Sequence, residues 1–414
     1  MNTSYRIAII TMGVKLGEET MGYTRFLTLA EELAAAGFEV DLITSSFQHW
    51  EKAQRKLLDP AYQRYSFKTV FIKEPGYTRN IDTARLRSHA QAAKALRLYL
   101  ETERCSKTPY DLIYCEIPPN DVARAAAEQA AAAHIPFVVD VNDLWPEAMR
   151  MVLDVPLISS LLFRPLARDA RAVYRLASAV VGTSDEYANR PLSDCDPEIE
   201  RLTVYVGGDK ASFDEGVERH RASIIKPPES FWVTYAGTLG TSYDLHTLIT
   251  AASLLKEQGF SSLSVKIIGD GPTRPVLESL AASLLAPVEF LGYREYSEMA
   301  AWLAASDVLV NSLVRKAPQS IPNKIGDYLF AGRPMINTGT DAELRNLVTG
   351  QRIGYNVVAE DAPLLAEAIS RLAGDPVMRL AMGDAARVFA EKKFDRVRSY
   401  QAIVDLIRRL VKSP

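Results

Sequence analysis

A chain of 414 residues is longer than one ordinary core can organise, so two domains are expected. Apolar residues make up 48% and charged residues 24%, with a formal net charge of −3, which fits a globular protein and gives no general attraction to nucleic acid. The three cysteines, Cys105, Cys115 and Cys195, are too few for a disulfide framework or a cysteine-based zinc site and point to a reducing compartment. No run approaches the roughly 20 apolar residues that span a bilayer, and a strand begins within a few residues without a signal-peptide pattern. The expected location is the cytoplasm, free or peripheral on the cytosolic face of a membrane.

Taken in order, 6–11 (RIAIIT) is a buried first strand, followed by a loop from Gly13 to Gly22 and a helix over 23–36 that stops at Gly37. A second strand over 38–44 completes a βαβ unit, whose ligand edge lies at the strand C-termini. The loop after the first strand lacks a GxGxxG pattern, so no dinucleotide fingerprint is present. Gly22 at the helix entry still permits close approach of backbone to a ligand. Strands are expected over 67–72, 111–115 and 137–141, with helices over 84–103 and 121–133. The strand at 137–141 runs into Asn142-Asp143-Leu144-Trp145-Pro146-Glu147, carboxylates and an amide at a strand C-terminus. Helix capping by Asn142 or Asp143 is the structural alternative. Across 156–178, Arg164, Arg168, Arg171 and Arg175 share one helical face, which suits either an anionic membrane surface or plain solvation. Strands at 179–183 and 202–206 close a first Rossmann-like domain over 1–209.

Residues 210–230 read as a charged linker ending in Pro227-Pro228. A second αβ series, 231–392, starts with a strand at 231–236 that leads into Gly237-Thr238-Leu239-Gly240. It continues with strands at 263–268, 288–291, 308–311 and 335–337, and with helices over 244–258, 298–305, 362–373 and 376–392. A final helix spans 397–412, within a C-terminal segment 393–414. In the stretch QSIPNKIGDYLFAGRPMI, Pro322 suits a helix start, Gly332 is the stop and Pro334 forbids continuation. Gln319, Ser320, Asn323, Lys324 and Asp327 gather at that helix start. Helix N–H groups and Lys324 favour an anion, and the Asp327 carboxylate suits sugar hydroxyls, so phosphate plus hydroxyls suggests a sugar nucleotide. An ordinary capped helix is the alternative. Two Rossmann-like domains make the cleft between them the default binding site.

Four pieces occur in order: Tyr235 to Gly240, Gly269-Asp270-Gly271-Pro272, Phe290-Leu291-Gly292, and Pro322-Asn323-Lys324 through Asp327-Tyr328 to Gly332-Arg333-Pro334. Together they resemble glycosyltransferase family 4, the retaining, metal-independent transferases of the GT-B fold, over nearly the whole chain. The segment from Asp140 to Glu147 is similar to the acceptor side of members that build surface polysaccharides. The resemblance implies two facing Rossmann-like domains, with the last helix crossing back over the first. It implies Asp327 on the ribose, Lys324 on the diphosphate and Gln319 toward the transferred sugar, where the family usually has Glu. The family's basic pair after the first strand of the second domain is replaced by Thr238 and Asp244, leaving Arg315, Lys316 and Lys324 to supply the charge. Gly292, Tyr293 and Arg294 correspond to the loop that meets the nucleobase, and Gly22 to the glycine near the donor phosphate; Ser320, at the helix start, is a further donor-binding candidate.

Breaking a sugar–diphosphate bond builds negative charge on the leaving phosphate, so cations there are the main catalytic requirement and no metal or other cofactor is expected. Asp194-Cys195-Asp196 is the literal Asp-x-Asp, in a loop. Asn142 stands nearest the family's sugar-proximal His, and Asp143 is the expected acceptor-orienting residue or weak base. The expected partners are a nucleotide sugar, with UDP or GDP as its base-bearing half, and a lipid-linked or polysaccharide acceptor. A sugar-nucleotide epimerase and a non-catalytic nucleotide-sugar-binding partner are the alternatives. The epimerase requires acid–base residues on the sugar, and none of the five His lies in a motif.

Overall fold

The computed structural model describes residues 4–20, 22–79, 82–146, 163–317 and 321–412. The chain divides into two compact units, Met1–Val204 with Ser399–Pro414, and Tyr205–Arg398.

The first unit contains a seven-stranded sheet built from β1 (Arg6–Ile10), β2 (Glu39–Ser45), β3 (Lys68–Ile72), β4 (Leu112–Ile117), β5 (Phe137–Val141), β6 (Ala179–Gly182) and β7 (Glu200–Thr203). The order is β3-β2-β1-β4-β5-β6-β7 and every pair is parallel. Apolar runs without alternation are what a sheet covered on both faces requires. Successive residues of β1 part to opposite faces. Ala8 and Ile10 join a core with Ile113, Cys115 and Val139 and the alanines of α3 (Asn120–Ala133), after α1 (Arg25–Ala35) and α2 (Thr83–Arg104) in the chain. Ile7 and Ile9 join Leu42, Leu112 and Val138 with Phe26 and Leu33 of α1. Ala123, Ala126, Ala127 and Ala130 carry no bulk, so α3 packs close to the sheet. The α4 helix (Arg164–Leu176) buries Ala170, Val173 and Tyr174 in the same core, while Arg164, Arg168, Arg171 and Arg175 are exposed. Its apolar side is therefore taken up by packing, and the arginine face is left exposed. Residues 156–162 of that segment lie outside the described residues. No helix among the described residues is long and apolar enough to cross a membrane.

A buried ion pair ties the first unit together. Arg25 Nε donates to Asp140 Oδ2 at 2.9 Å and its Nη2 to Oδ1 at 3.2 Å. Tyr114 donates to Asp140 at 2.6 Å, and Arg25 also donates to the Val204 carbonyl and, at 3.4 Å, to the Tyr400 hydroxyl. Tyr400 precedes the last helix, Gln401–Leu410, whose Ile403, Val404, Leu406 and Ile407 complete the core on that side of the sheet.

The second unit repeats the plan, after α5 (Lys210–His220). Strands β8 (Phe231–Ala236), β9 (Leu263–Ile268), β10 (Val288–Gly292), β11 (Val308–Asn311), β12 (Met335–Asn337) and β13 (Gly354–Asn356) form a parallel sheet in the order β10-β9-β8-β11-β12-β13. In both units the order reverses beside the first strand, and such a switch point opens a crevice at the strand C-termini.

Several boundaries differ from the sequence reading. The first unit ends at Val204, not 209, and the chain rejoins it at Ser399, not 393. Residues 210–230 are more than a connection, because α5 is capped by Asp209 and packs on α6 (Tyr296–Ala305). A Cβ on Gly216 would lie 2.7 Å from the Ser297 Cα. Only Phe213 and Gly216 of α5 are buried, so its apolar stripe is too narrow to register as a helix. The strand expected at 202–206 is Glu200–Thr203, and the helix Ala342–Gly350 and strand β13 were not foreseen. The final helix is split into Arg396–Ser399 and Gln401–Leu410.

Because Arg25→Met strands the Asp140 carboxylate in the core, it is expected to destabilise the first unit by about 3–5 kcal/mol in urea unfolding. The double variant Arg25→Met/Asp140→Leu is expected to recover much of that loss. An unchanged midpoint in the single variant would contradict the role given to this pair.

Candidate functional site

In the second unit, three loops lock together at the strand C-termini. Gly237 donates to the Ile268 carbonyl at 3.0 Å, Leu239 to Asp270 O at 2.9 Å and Gly269 to Gly292 O at 2.8 Å. Thr273 donates through its amide and hydroxyl to Leu239 O. This closeness demands glycine at residue 269, where φ is +126° and a Cβ would sit 1.9 Å from Gly237 O. Tyr328 crosses the switch point. Its hydroxyl accepts from Ala236 N–H at 2.7 Å and donates to Ala236 O at 3.0 Å, fixing the helix Ile325–Phe330 against β8.

That fixing places Lys324 and Asp327. The Lys324 ammonium is sealed from solvent although part of its side chain is exposed, and it has no hydrogen-bond partner among the described residues. It lies 4.1 Å from the Tyr235 ring centre, 4.4 Å from Tyr243 and 5.5 Å from Tyr328. Burial holds its pKa well below the ordinary lysine value. Asp327 accepts from the Tyr296 hydroxyl at 2.8 Å. Burial pushes its carboxyl up to about 6, against the downward pull of Tyr296 and Arg396. The sequence reading assigned anion attraction to a helix N-terminus. The helix has six residues and Lys324 is its N-cap with no side-chain capping bond, so the attraction rests on the Lys324 charge.

The remaining donor-side residues are scattered in their roles. Thr238 is exposed and its carbonyl accepts from the Tyr235 hydroxyl at 2.8 Å. Asp244 caps the helix Leu245–Glu257 by accepting from Thr247 N–H. Gly292 has φ +72°, Tyr293 is 72% exposed, and Arg294 is held by Glu298 at 3.1 Å. Arg315 is turned to the Ala359 carbonyl and Glu360, while Lys316 is exposed. Gln319 and Ser320 lie outside the described residues.

The first unit holds a cavity of about 1060 Å³ at its own strand C-termini, lined by both Asn142 and Asp143. Asp143 accepts from Leu144 N–H at 2.8 Å and from the Trp145 indole at 3.0 Å, and burial raises its pKa despite those bonds. The Asn142 amide donates to the Asp140 carbonyl and carboxylate, so the Arg25 ion pair also anchors this loop. Gly22 has φ +136° and belongs to the loop closed by Lys15 N–H to Tyr23 O at 2.8 Å. A Cβ on Gly22 would meet Lys15 at 2.9 Å.

Other groups in this cavity were not read from the sequence. Glu116, at the end of β4, accepts from the Thr11 hydroxyl at 2.6 Å and is pushed up to about 7 by burial. Asp121 is raised to about 6, again by burial. His49 is lowered to about 4 and His89 to about 3, by burial and then by neighbouring cations including Arg85. Aromatic rings line the cavity: Trp50 packs edge-on against Tyr23 and His49, and His89 stacks on Trp145. Two of the five histidines therefore lie in the cavity without any sequence motif. Glu116 could have been suspected as a carboxylate closing an apolar strand. Nothing in the sequence signals His49 or Trp50. Among the described residues no group of three His, Cys, Asp or Glu could hold a metal ion.

Known proteins resemble both halves. Residues 230–375 match the family described as Glycosyl transferases group 1, and residues 23–193 match the Glycosyl transferase 4-like domain. A GDP-mannose-dependent monoacylated alpha-(1-6)-phosphatidylinositol monomannoside mannosyltransferase of Corynebacterium glutamicum is 33% identical over 132 residues, covering 31% of this chain and 34% of that protein. The match thus spans about a third of that relative's length. An alpha-D-kanosaminyltransferase of Streptomyces kanamyceticus is 24% identical over 274 residues, covering 60% and 69%. The structure of HepE from Anabaena in complex with UDP superposes with a TM-score of 0.68 at 16% identity, covering 98% of this chain and 100% of that one. That last likeness is one of fold.

Burial of Asp327 has a consequence for stability. Its folded pKa, about 6, exceeds the ordinary 3.8, so the folded state binds the extra proton between those values. Stability from this group is thus gained as pH falls through that window and lost as pH rises through 6. Asp327→Asn is expected to be more stable than the wild type by about 1–2 kcal/mol at pH 7.5, with the difference fading by pH 4. A variant less stable at pH 7.5, with no pH dependence in the gap, would contradict this.

Proposed function

The chain belongs to the glycosyltransferases of family 4 type, with the GT-B fold, and from that premise we propose that it moves a sugar, with retention, from a nucleoside-diphosphate donor to a glycan acceptor. The observation that carries this reading is the pairing of Lys324 and Asp327 on one short helix at the switch point of the second unit. A sealed ammonium with no hydrogen-bond partner suits a diphosphate, and a carboxylate suits the vicinal hydroxyls of a ribose. UDP and GDP are the candidate nucleotides, since one similar protein binds UDP and another depends on GDP-mannose.

In this reading the departing diphosphate gathers negative charge as the glycosidic bond breaks, and Lys324 stabilises it where a metal ion would otherwise be required. Its low dielectric surroundings strengthen that interaction. The acceptor occupies the cavity of the first unit. Its aromatic walls suit the apolar faces of sugar rings, while Asp143 and Glu116 accept from hydroxyls. Lipid-linked and polymeric glycans both present such an end. The proton of the attacking hydroxyl passes to the departing diphosphate, and Asp143 orients that hydroxyl.

The test is incubation with UDP- and GDP-sugars and a panel of glycan acceptors, following nucleoside diphosphate release and the anomeric configuration of the product. Lys324→Ala and Asp327→Ala are each expected to lower turnover by about 100-fold or more while unfolding stays cooperative. Near-normal turnover in both variants would overturn the assignment of the donor site. Binding of a donor with no transfer to any acceptor would favour a sensor over an enzyme.

A further inference from the structure

The environment of Lys324 is unlike that of other inward-reaching lysines. Lys226 reaches the Ala305 carbonyl and the Asp307 carboxylate, Lys256 the Leu285 carbonyl, and Lys266 the Glu289 carboxylate. Lys324 faces rings. The Tyr235 hydroxyl is turned to Thr238 O, to which it donates at 2.8 Å, and it makes no hydrogen bond with the ammonium. Tyr328 is held likewise, its hydroxyl occupied by both backbone groups of Ala236. Tyr243 stands edge-on to Tyr235, with ring centres 5.8 Å apart at 67°. Ring faces attract a cation but satisfy none of its three N–H donors.

The space that would complete those bonds is identifiable. Gly237 has φ +148°, and a Cβ built on it would lie 3.0 Å from the Tyr235 hydroxyl and 3.5 Å from Lys324 Nζ. With no side chain at residue 237, an oxygen approaching on that side could come within reach of the ammonium, which is sealed in the free protein.

We propose that Tyr235, Tyr243 and Tyr328 form an aromatic cage that aims Lys324 at the space beside Gly237, where an oxygen of the donor diphosphate supplies its missing partner, and that Tyr243 is the positioning residue setting donor affinity. The proposal rests on the donor-site reading above. Among the described residues, the titratable groups that face Lys324 are the three phenols, and burial pushes Tyr235 and Tyr328 up, away from ionisation near neutrality. With a lowered lysine pKa and no facing carboxylate among the described partners, the free protein loses the Lys324 charge as pH rises, and donor binding takes up a proton. Tyr243 is half-buried, so its replacement opens the cage without emptying the core.

The experiment is calorimetric titration of the full chain with UDP and GDP between pH 6.5 and 9, in two buffers of different ionisation enthalpy, for the wild type, Tyr243→Leu and Tyr243→Phe. Wild-type affinity is expected to fall as pH rises, with proton uptake on binding. Tyr243→Leu should bind about five- to tenfold more weakly at pH 7, with a flatter pH slope and less proton uptake, because water now reaches the ammonium. Tyr243→Phe, which keeps the ring, should restore affinity to within about twofold. A Tyr243→Leu protein that melts like the wild type and binds with unchanged Kd and pH slope would overturn the cage. A wild type that binds neither nucleotide would overturn the donor-site reading, and the cage with it.

Discussion

A charge taken out of water must be answered by an opposite charge or by hydrogen bonds, and this constraint separates Arg25 from Lys324. Arg25 is answered completely. A carboxylate meets it with two hydrogen bonds, a tyrosine braces that carboxylate, and a carbonyl takes a further N–H. Such a cluster holds a fold, and it joins α1, two central strands and the residue that begins the last helix. Lys324 is left with aromatic faces and, among the described residues, no acceptor. In the proposed function, the anion that answers it arrives with the donor.

The two clusters are linked to chemistry by the same architectural device. In each unit the strand order reverses beside the first strand, and the loops leaving neighbouring strands diverge there. In the first unit the divergence is held by Thr11 bonding Glu116 and opens into an aromatic-walled cavity. In the second it is held by Tyr328, and the glycine loops beside it bring backbone so close that side chains are excluded. Desolvation then acts on the groups at these edges. It raises Glu116, Asp121 and Asp327 toward neutrality and lowers His49 and His89, so the cavity imidazoles are neutral. Perturbations of this kind, gathered at the ligand edges of two parallel sheets, are those expected of binding sites.

Much of the fold was legible because buried parallel strands leave an unambiguous trace. Runs such as RIAII and LSVKII sit between helical periods, and both appear as strands where expected. The short elements were not legible. Strand β13 has three residues and α5 buries two, too few to impose a period. The candidate site was legible where neighbours in space are neighbours in the chain, as with Lys324 and Asp327 at one short helix. It was not legible where residues distant in sequence converge, because spacing carries no signal of that convergence. Tyr235, Tyr243 and Tyr328 span more than ninety positions and meet only at one ammonium. The arginine-rich segment read two ways because periodicity gives a face but not what covers it, and packing of Ala170, Val173 and Tyr174 covers the apolar side of α4 and not its arginine face.

The most direct measurement of the central claim is a crystal structure of the protein grown with UDP or GDP. A diphosphate oxygen is expected within about 3 Å of Lys324 Nζ, with a ribose hydroxyl donating to the Asp327 carboxylate. A nucleotide bound with its diphosphate away from Lys324, or seated in the aromatic cavity of the first unit, would contradict it.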